Sequence, residues 1–201
     1  MIRTFLPAAF AASLLAGCAT PYASPVEVTR FSAPAAPQAA TRVGSGTIAV
    51  RAAPGAPGGT LEFSVYEQAV AEQLARVGYQ VQPGGPAAQV AEVRVGRVQL
   101  APGERRGPVS VGVGGSTGSY GSGVGLGVGL DLSPPPKPVI QTELGVIIRD
   151  NATGQALWEG RAEFGASTDS PLADRQAAAA RLAGALFGGF PGASGQTITV
   201  K

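Results

Sequence analysis

Apolar and polar residues recur along this chain with two different periods, and each period predicts an element. From Leu61 to Val77 the spacing is three and four: Phe63, Tyr66, Val70, Leu74 and Val77 mark one face of a helix. Thr60 can cap its start, Ser64 with Glu67 offers a capping box one turn later, and Gly78 stands where a left-handed C-terminal cap is wanted. A second helical stripe sets Leu182, Leu186 and Phe190 above Ala179. Ser170-Pro171 predicts its N-cap and first residue, and Pro191-Gly192 its end.

Elsewhere the period is two. Trp158, Gly160, Ala162 and Phe164 share one parity and Glu159, Arg161 and Glu163 the other, which predicts a half-buried strand. The run Val146-Ile147-Ile148 within 139–149 is apolar on both sides and predicts a central strand. Asp150 to Gly154 joins these two as a hairpin loop. In 90–100 the apolar parity changes: Ala91, Val93 and Val95 agree, Val98 and Leu100 do not, and a bulge near Gly96 would restore the register. Glu92 and Arg94 then read as solvent-facing alternation. Shorter strands are predicted at 26–31, 47–50, 79–81 and 196–200. The order of elements predicts an α+β domain with a mostly antiparallel sheet.

Composition narrows the chemistry. The 201 residues include no His and one Cys, so the chain has no imidazole base or ligand, no disulfide framework and no thiolate zinc site. Fifteen basic against thirteen acidic residues leave a formal charge of +2, and Arg105-Arg106 is the densest basic spot; nucleic acid is not an expected partner. No cofactor and no metal are expected.

The N-terminus is the most specific segment. Met1-Ile2-Arg3 is a positive start, and the apolar stretch from Phe5 to Leu15 is shorter than the roughly 20 residues a membrane-spanning helix needs. It ends in Leu15-Ala16-Gly17-Cys18, which resembles the bacterial lipobox. That resemblance implies cleavage before Cys18 and a palmitate-type acylation of that cysteine. Ala19 in place of Asp implies sorting to the outer membrane. The expected organisation is a signal peptide over 1–17, an Ala/Pro-rich tether over 18–46 that includes the candidate strand at 26–31, and a globular domain over 47–201. The tether prolines Pro21, Pro25, Pro34 and Pro37 favour an extended spacer.

Within the domain, 107–132 is a Gly-rich hairpin segment. Val109, Val111 and Val113 hold one parity and Val124, Leu126, Val128, Leu130 and Leu132 the other. No glycines fall at i, i+2 and i+5 and no GK[ST] occurs, so a nucleotide loop is excluded on spacing. A hairpin continuing the sheet, a disordered segment and a membrane-inserting hairpin stay open.

The lipobox, the Leu61–Tyr79 passage, the Gly-rich hairpin and the pattern Asp150, Thr153-Gly154, Leu157-Trp158, Gly160 together resemble the bacterial lipoproteins of domain-of-unknown-function family forty-one thirty-six. The resemblance extends to Leu186-Phe187 and Phe190-Pro191, with Gly192 where the family usually has proline. It implies a two-layer α+β domain on a lipid anchor and no known activity; the two helices are expected on one face of the sheet. The expected function is a non-enzymatic, periplasm-facing binding or scaffolding module on the outer membrane, held to the membrane by its lipid, with an envelope protein as candidate partner. A hairpin-mediated assembly or pore component and a carboxylate-based hydrolase are the alternatives. No catalytic residue is assigned, and Trp158 is expected in the core.

Overall fold

A computed structural model of the chain describes residues 21–33, 43–102, 109–118, 121–130 and 137–201. Its order is β1 (Val26–Ser32), β2 (Thr47–Ala52), α1 (Leu61–Arg76), β3 (Gln80–Val81), β4 (Gln89–Leu100), β5 (Val109–Gly118), β6 (Gly121–Leu130), β7 (Val139–Asp150), β8 (Ala156–Ser167), α2 (Arg175–Phe187) and β9 (Gln196–Val200). A mixed seven-stranded sheet, ordered β3-β2-β4-β7-β8-β1-β9, and two helices make an α+β fold. β2 runs parallel to β3 and β4, joined to them through α1, because parallel neighbours need a crossover. The other neighbours in this sheet are antiparallel. β7 is the middle strand, in keeping with its apolar run.

α1 starts at Thr60, whose Oγ1 accepts from the Phe63 N–H at 3.2 Å, and buries Phe63, Tyr66, Val70 and Leu74. The second helix begins later than Ser170-Pro171 predicts. Ser170 caps a single 3₁₀ turn over Pro171–Ala173, and Asp174 then caps α2, accepting from the N–H groups of Gln176 and Ala177. α2 buries Ala178, Ala179, Leu182, Ala183 and Leu186; Phe190 lies beyond its end but packs against the same core. These helix residues meet Val26, Val28, Ile48, Ala91, Val93, Leu144, Val146, Ile148, Trp158 and Ala162 in one cluster.

The expected bulge near Gly96 is absent. β4 pairs with β7 in unbroken register from Gln89 with Asp150 to Leu100 with Val139. After Val95 the inward position belongs to Arg97, whose guanidinium donates to the Ala173 carbonyl. An apolar residue there is not needed, so Val98 and Leu100 stand on the opposite face, 58% and 49% exposed. The irregularity occurs instead between Ile148 and Arg149, where β7 meets β8.

β5 and β6 pair with each other from Val109 with Leu130 to Gly118 with Gly121. Eight residues separate this ribbon from the β4–β7 pair on each arm (101–108 and 131–138), so the two pairings are in step. Register positions of one parity along the ribbon include Val109, Val111, Val113, Val124, Leu126, Val128 and Leu130; those of the other hold only Gly and Ser.

Candidate functional site

Leu15, Ala16, Gly17 and Cys18 lie outside the described residues. The point at which the chain joins the sheet is described. The Ser167 N–H donates to the Tyr22 carbonyl at 2.9 Å, and the Tyr22 N–H donates to Ser167 Oγ at 3.1 Å. Ala23 bridges Ala166, and the Ser24 N–H donates to the Gly165 carbonyl at 2.8 Å. β1 then runs between β8 and β9. Pairing with β8 therefore begins four residues after Cys18, inside the segment expected to be tether, and shifts by one residue before the β1 ladder opens at Glu27 and Glu163.

Most of the sheet's charged residues share the face on which Glu92 stands. Glu92, at β4, accepts from Arg51 at 2.8 Å and from Arg149 at 3.0 Å, and these two arginines leave it 5% exposed. It is thus buried beneath its partners rather than solvent-facing, although it occupies the outward parity. Burial works to raise its carboxyl, but the hydrogen bonds and charges of Arg51 and Arg149 outweigh it and hold the group below the usual glutamate value. A carboxylate so held is a poor general acid near neutral pH. Further along the face, Glu143, Glu163 and Glu27 are directly paired across β7, β8 and β1. Adjacent like charges oppose sheet pairing, and Arg161, 3.4 Å from Glu143, relieves part of this. An open cleft of about 190 Å³ lies beside them, lined by Pro25, Glu27, Gln141, Glu163 and Thr199. Among the described residues no group of three or more His, Cys, Asp or Glu side chains is placed to hold a metal ion.

Asp150, Thr153, Gly154 and Trp158 of the Asp150-to-Gly160 pattern each have a structural part. Asp150 Oδ1 accepts from the N–H groups of Ala152 and Thr153 and from Thr153 Oγ1, at 2.9–3.0 Å, which closes the turn. Gly154 takes φ +72°, a conformation that favours glycine. Trp158 is 1% exposed and donates its Nε1–H to the Pro191 carbonyl at 3.0 Å. Its ring stacks on Phe187, centroids 5.5 Å apart, and meets Phe190 at 5.1 Å. Such aromatic pairs contribute roughly 0.5–1.5 kcal/mol beyond area burial.

Arg30 is buried, against the usual exposure of arginine. It occupies the inward parity after Val26 and Val28 and is 5% exposed. Its Nε–H donates to the Leu186 carbonyl at 2.9 Å, and its Nη2 to those of Ala185 at 2.8 Å and Gly188 at 2.7 Å. These carbonyls end α2, so a buried cation caps the negative pole of the helix. The available signal was an arginine at an apolar parity.

The family model described as a domain of unknown function (DUF4136) matches residues 50–192. The chain belongs to that family. An uncharacterized protein of Zymomonas mobilis is 42% identical over 62 residues, which are 31% of this chain and 23% of that protein. The chain thus spans under a quarter of that relative's length. Among solved structures, the PelC dodecamer from Paraburkholderia phytofirmans is similar at 16% identity and a TM-score of 0.41, over 79% of this chain and 91% of that one. A PDZ domain protein from Parabacteroides distasonis is similar at 12% identity and a TM-score of 0.45, over 90% and 38%. Similarities this distant carry no functional weight.

Proposed function

We propose that the chain is an outer-membrane lipoprotein whose domain faces the periplasm as a non-enzymatic binding or scaffolding module. The observation that carries this reading is Leu15-Ala16-Gly17-Cys18, with the chain's one cysteine at the acylated position. Three acyl chains exceed the two signals that stable anchoring needs, at about 0.8 kcal/mol per buried methylene. A binding role rather than catalysis is favoured by the absence of histidine from the sequence and by Glu92, which its two arginines hold charged. The domain is read as two layers, with both helices on one face of a mostly antiparallel sheet. Supporting this are the single core cluster that helices and strands share and four antiparallel pairings against two parallel ones. The other face, with its paired arginines and glutamates, is the surface offered to an envelope protein. Fractionation with envelope cross-linking tests the proposal. The native chain should sediment with outer membranes and yield a reproducible protein partner; a soluble chain with none contradicts it.

A second reading, in which the Gly-rich hairpin 107–132 drives assembly or forms a pore, is favoured by one observation. The β5–β6 register sorts the apolar residues to one parity and leaves only Gly and Ser at the other.

A further inference from the structure

We infer that the end of the sheet formed by Leu100, Val139, Ser167 and Tyr22 rests directly on the bilayer, as a lipid-contacting surface of the folded domain. The inference depends on the acylation of Cys18 proposed above and goes beyond it, because an anchor alone leaves the orientation of the domain open.

Chain length sets the first constraint. Three residues, 19–21, separate Cys18 from Tyr22, and a fully extended chain covers at most about 3.6 Å per residue. Tyr22 thus lies within about 14 Å of the acylated residue. Because the Tyr22 N–H and carbonyl are both bonded to Ser167, that end of the sheet is held within the same reach. The opposite end of the sheet, at the Asp150–Gly154 turn, is about 35 Å away along a twelve-residue strand. One end of the domain is held near the membrane and the other is not.

The chemistry of that end matches. Leu100 pairs with Val139, Val139 with Ser167, and Ser167 bonds Tyr22, forming one row across four strands. The next two rows are Gln99, Ile140, Ala166 and Ala23, then Val98, Gln141, Gly165 and Ser24. None of these twelve positions carries a charge. Three rows are about 7 Å deep, comparable with the roughly 5–7 Å of headgroup region on one side of a bilayer. Charges follow at once: the Glu143–Glu163–Glu27 row comes next on the helix-free face, held back from an anionic surface. At the rim, Lys137 is neutralised by Asp169.

Exposure points the same way. Tyr22, Val98 and Leu100 are 55%, 58% and 49% exposed, and they are three of the six most exposed large apolar residues among those described. Tyrosine with aliphatic neighbours suits a membrane interface, where one end of the side chain is apolar and the other wet. The arms of the Gly-rich hairpin also leave and return here, after Leu100 and before Val139.

The test uses the full chain, purified from envelopes and reconstituted into vesicles of phosphatidylethanolamine and phosphatidylglycerol that carry a doxyl quencher high on the acyl chain. Leu100→Trp and Ala152→Trp each add one tryptophan at an exposed site, and wild type, with its buried Trp158, supplies the baseline. Fluorescence from the tryptophan added at 100 should be quenched several-fold more than that added at 152. Equal quenching, or the reverse, overturns the inference. A blue shift at 100 without quenching also overturns it, because a second copy or another protein then covers the surface. Mass spectrometry of the same samples separates the failures: with Cys18 acylated only the docking geometry is lost, and with Cys18 bare the anchor falls too.

Discussion

The position a Cβ would take at Gly160 clashes with Cη2 of the Trp158 indole and lies 2.8 Å from its Cζ2 and 2.8 Å from Leu186 Cδ1. The ring folds back across the residue two positions along its own strand, onto the face where α2 packs. The Leu-Trp-x-Gly spacing thus has a steric cause: the tryptophan needs the next same-face position empty.

Gly160→Ala should therefore cost about 1–3 kcal/mol, the usual range for overpacking a filled core. Gly145→Ala is the control, since a Cβ there meets only the exposed Arg94 side chain, at 3.5 Å. Urea denaturation followed by circular dichroism should give a clear loss at 160 and little change at 145. Equal effects would show that the packing of Trp158 over Gly160 is not what constrains this position.

Arg30→Ala should remove about 2–4 kcal/mol, because buried carbonyls at the end of α2 lose their donors. Arg30→Lys should recover less than half, as an ammonium cannot reproduce the planar fork that reaches several carbonyls at once. Thermal melts of the two variants beside wild type decide this. Full rescue by lysine would mean that charge alone matters.

Stability should fall on acidification through Glu92. Its carboxyl titrates lower in the folded chain than in the unfolded one, so its contribution is complete above the ordinary glutamate value of 4.5 and is lost as pH drops below that. Glu92→Gln should be less stable than wild type at pH 7, by about 1–3 kcal/mol, and the gap should narrow toward pH 3. Paired melts across this range measure it, and a constant gap would exclude the linkage.

The Gly-rich hairpin separates the two functional readings. Under the binding reading, the reconstituted native chain leaves liposome leakage at background, and Leu126→Asp changes nothing. Leakage by the native chain that Leu126→Asp abolishes would establish the pore reading, because a charge on a lipid-facing strand is costly there.

Much of the architecture was legible because periodicity and caps agreed. The Phe63, Tyr66, Val70 and Leu74 stripe, with Thr60 before it, located α1; the alternation around Trp158 and the apolar run of β7 located the middle of the sheet. Legibility failed where a polar side chain took an inward place. Arg97 there left Val98 and Leu100 free to change parity without a bulge, and Arg30 went unnoticed among valines because its partners are carbonyls distant in sequence. The start of α2 was misplaced because Ser170-Pro171 and Asp174 are both competent caps, and local sequence does not rank them. The burial of Glu92 came from Arg51 and Arg149, on two other strands, a conjunction that only the fold creates.

The most direct test of the account is intact mass spectrometry of the native chain isolated from its envelope. A polypeptide beginning at Cys18 and carrying a diacylglyceryl thioether with an N-acyl chain is the predicted result. A chain that retains residues before Cys18, or one whose cysteine reacts as a free thiol, would contradict it.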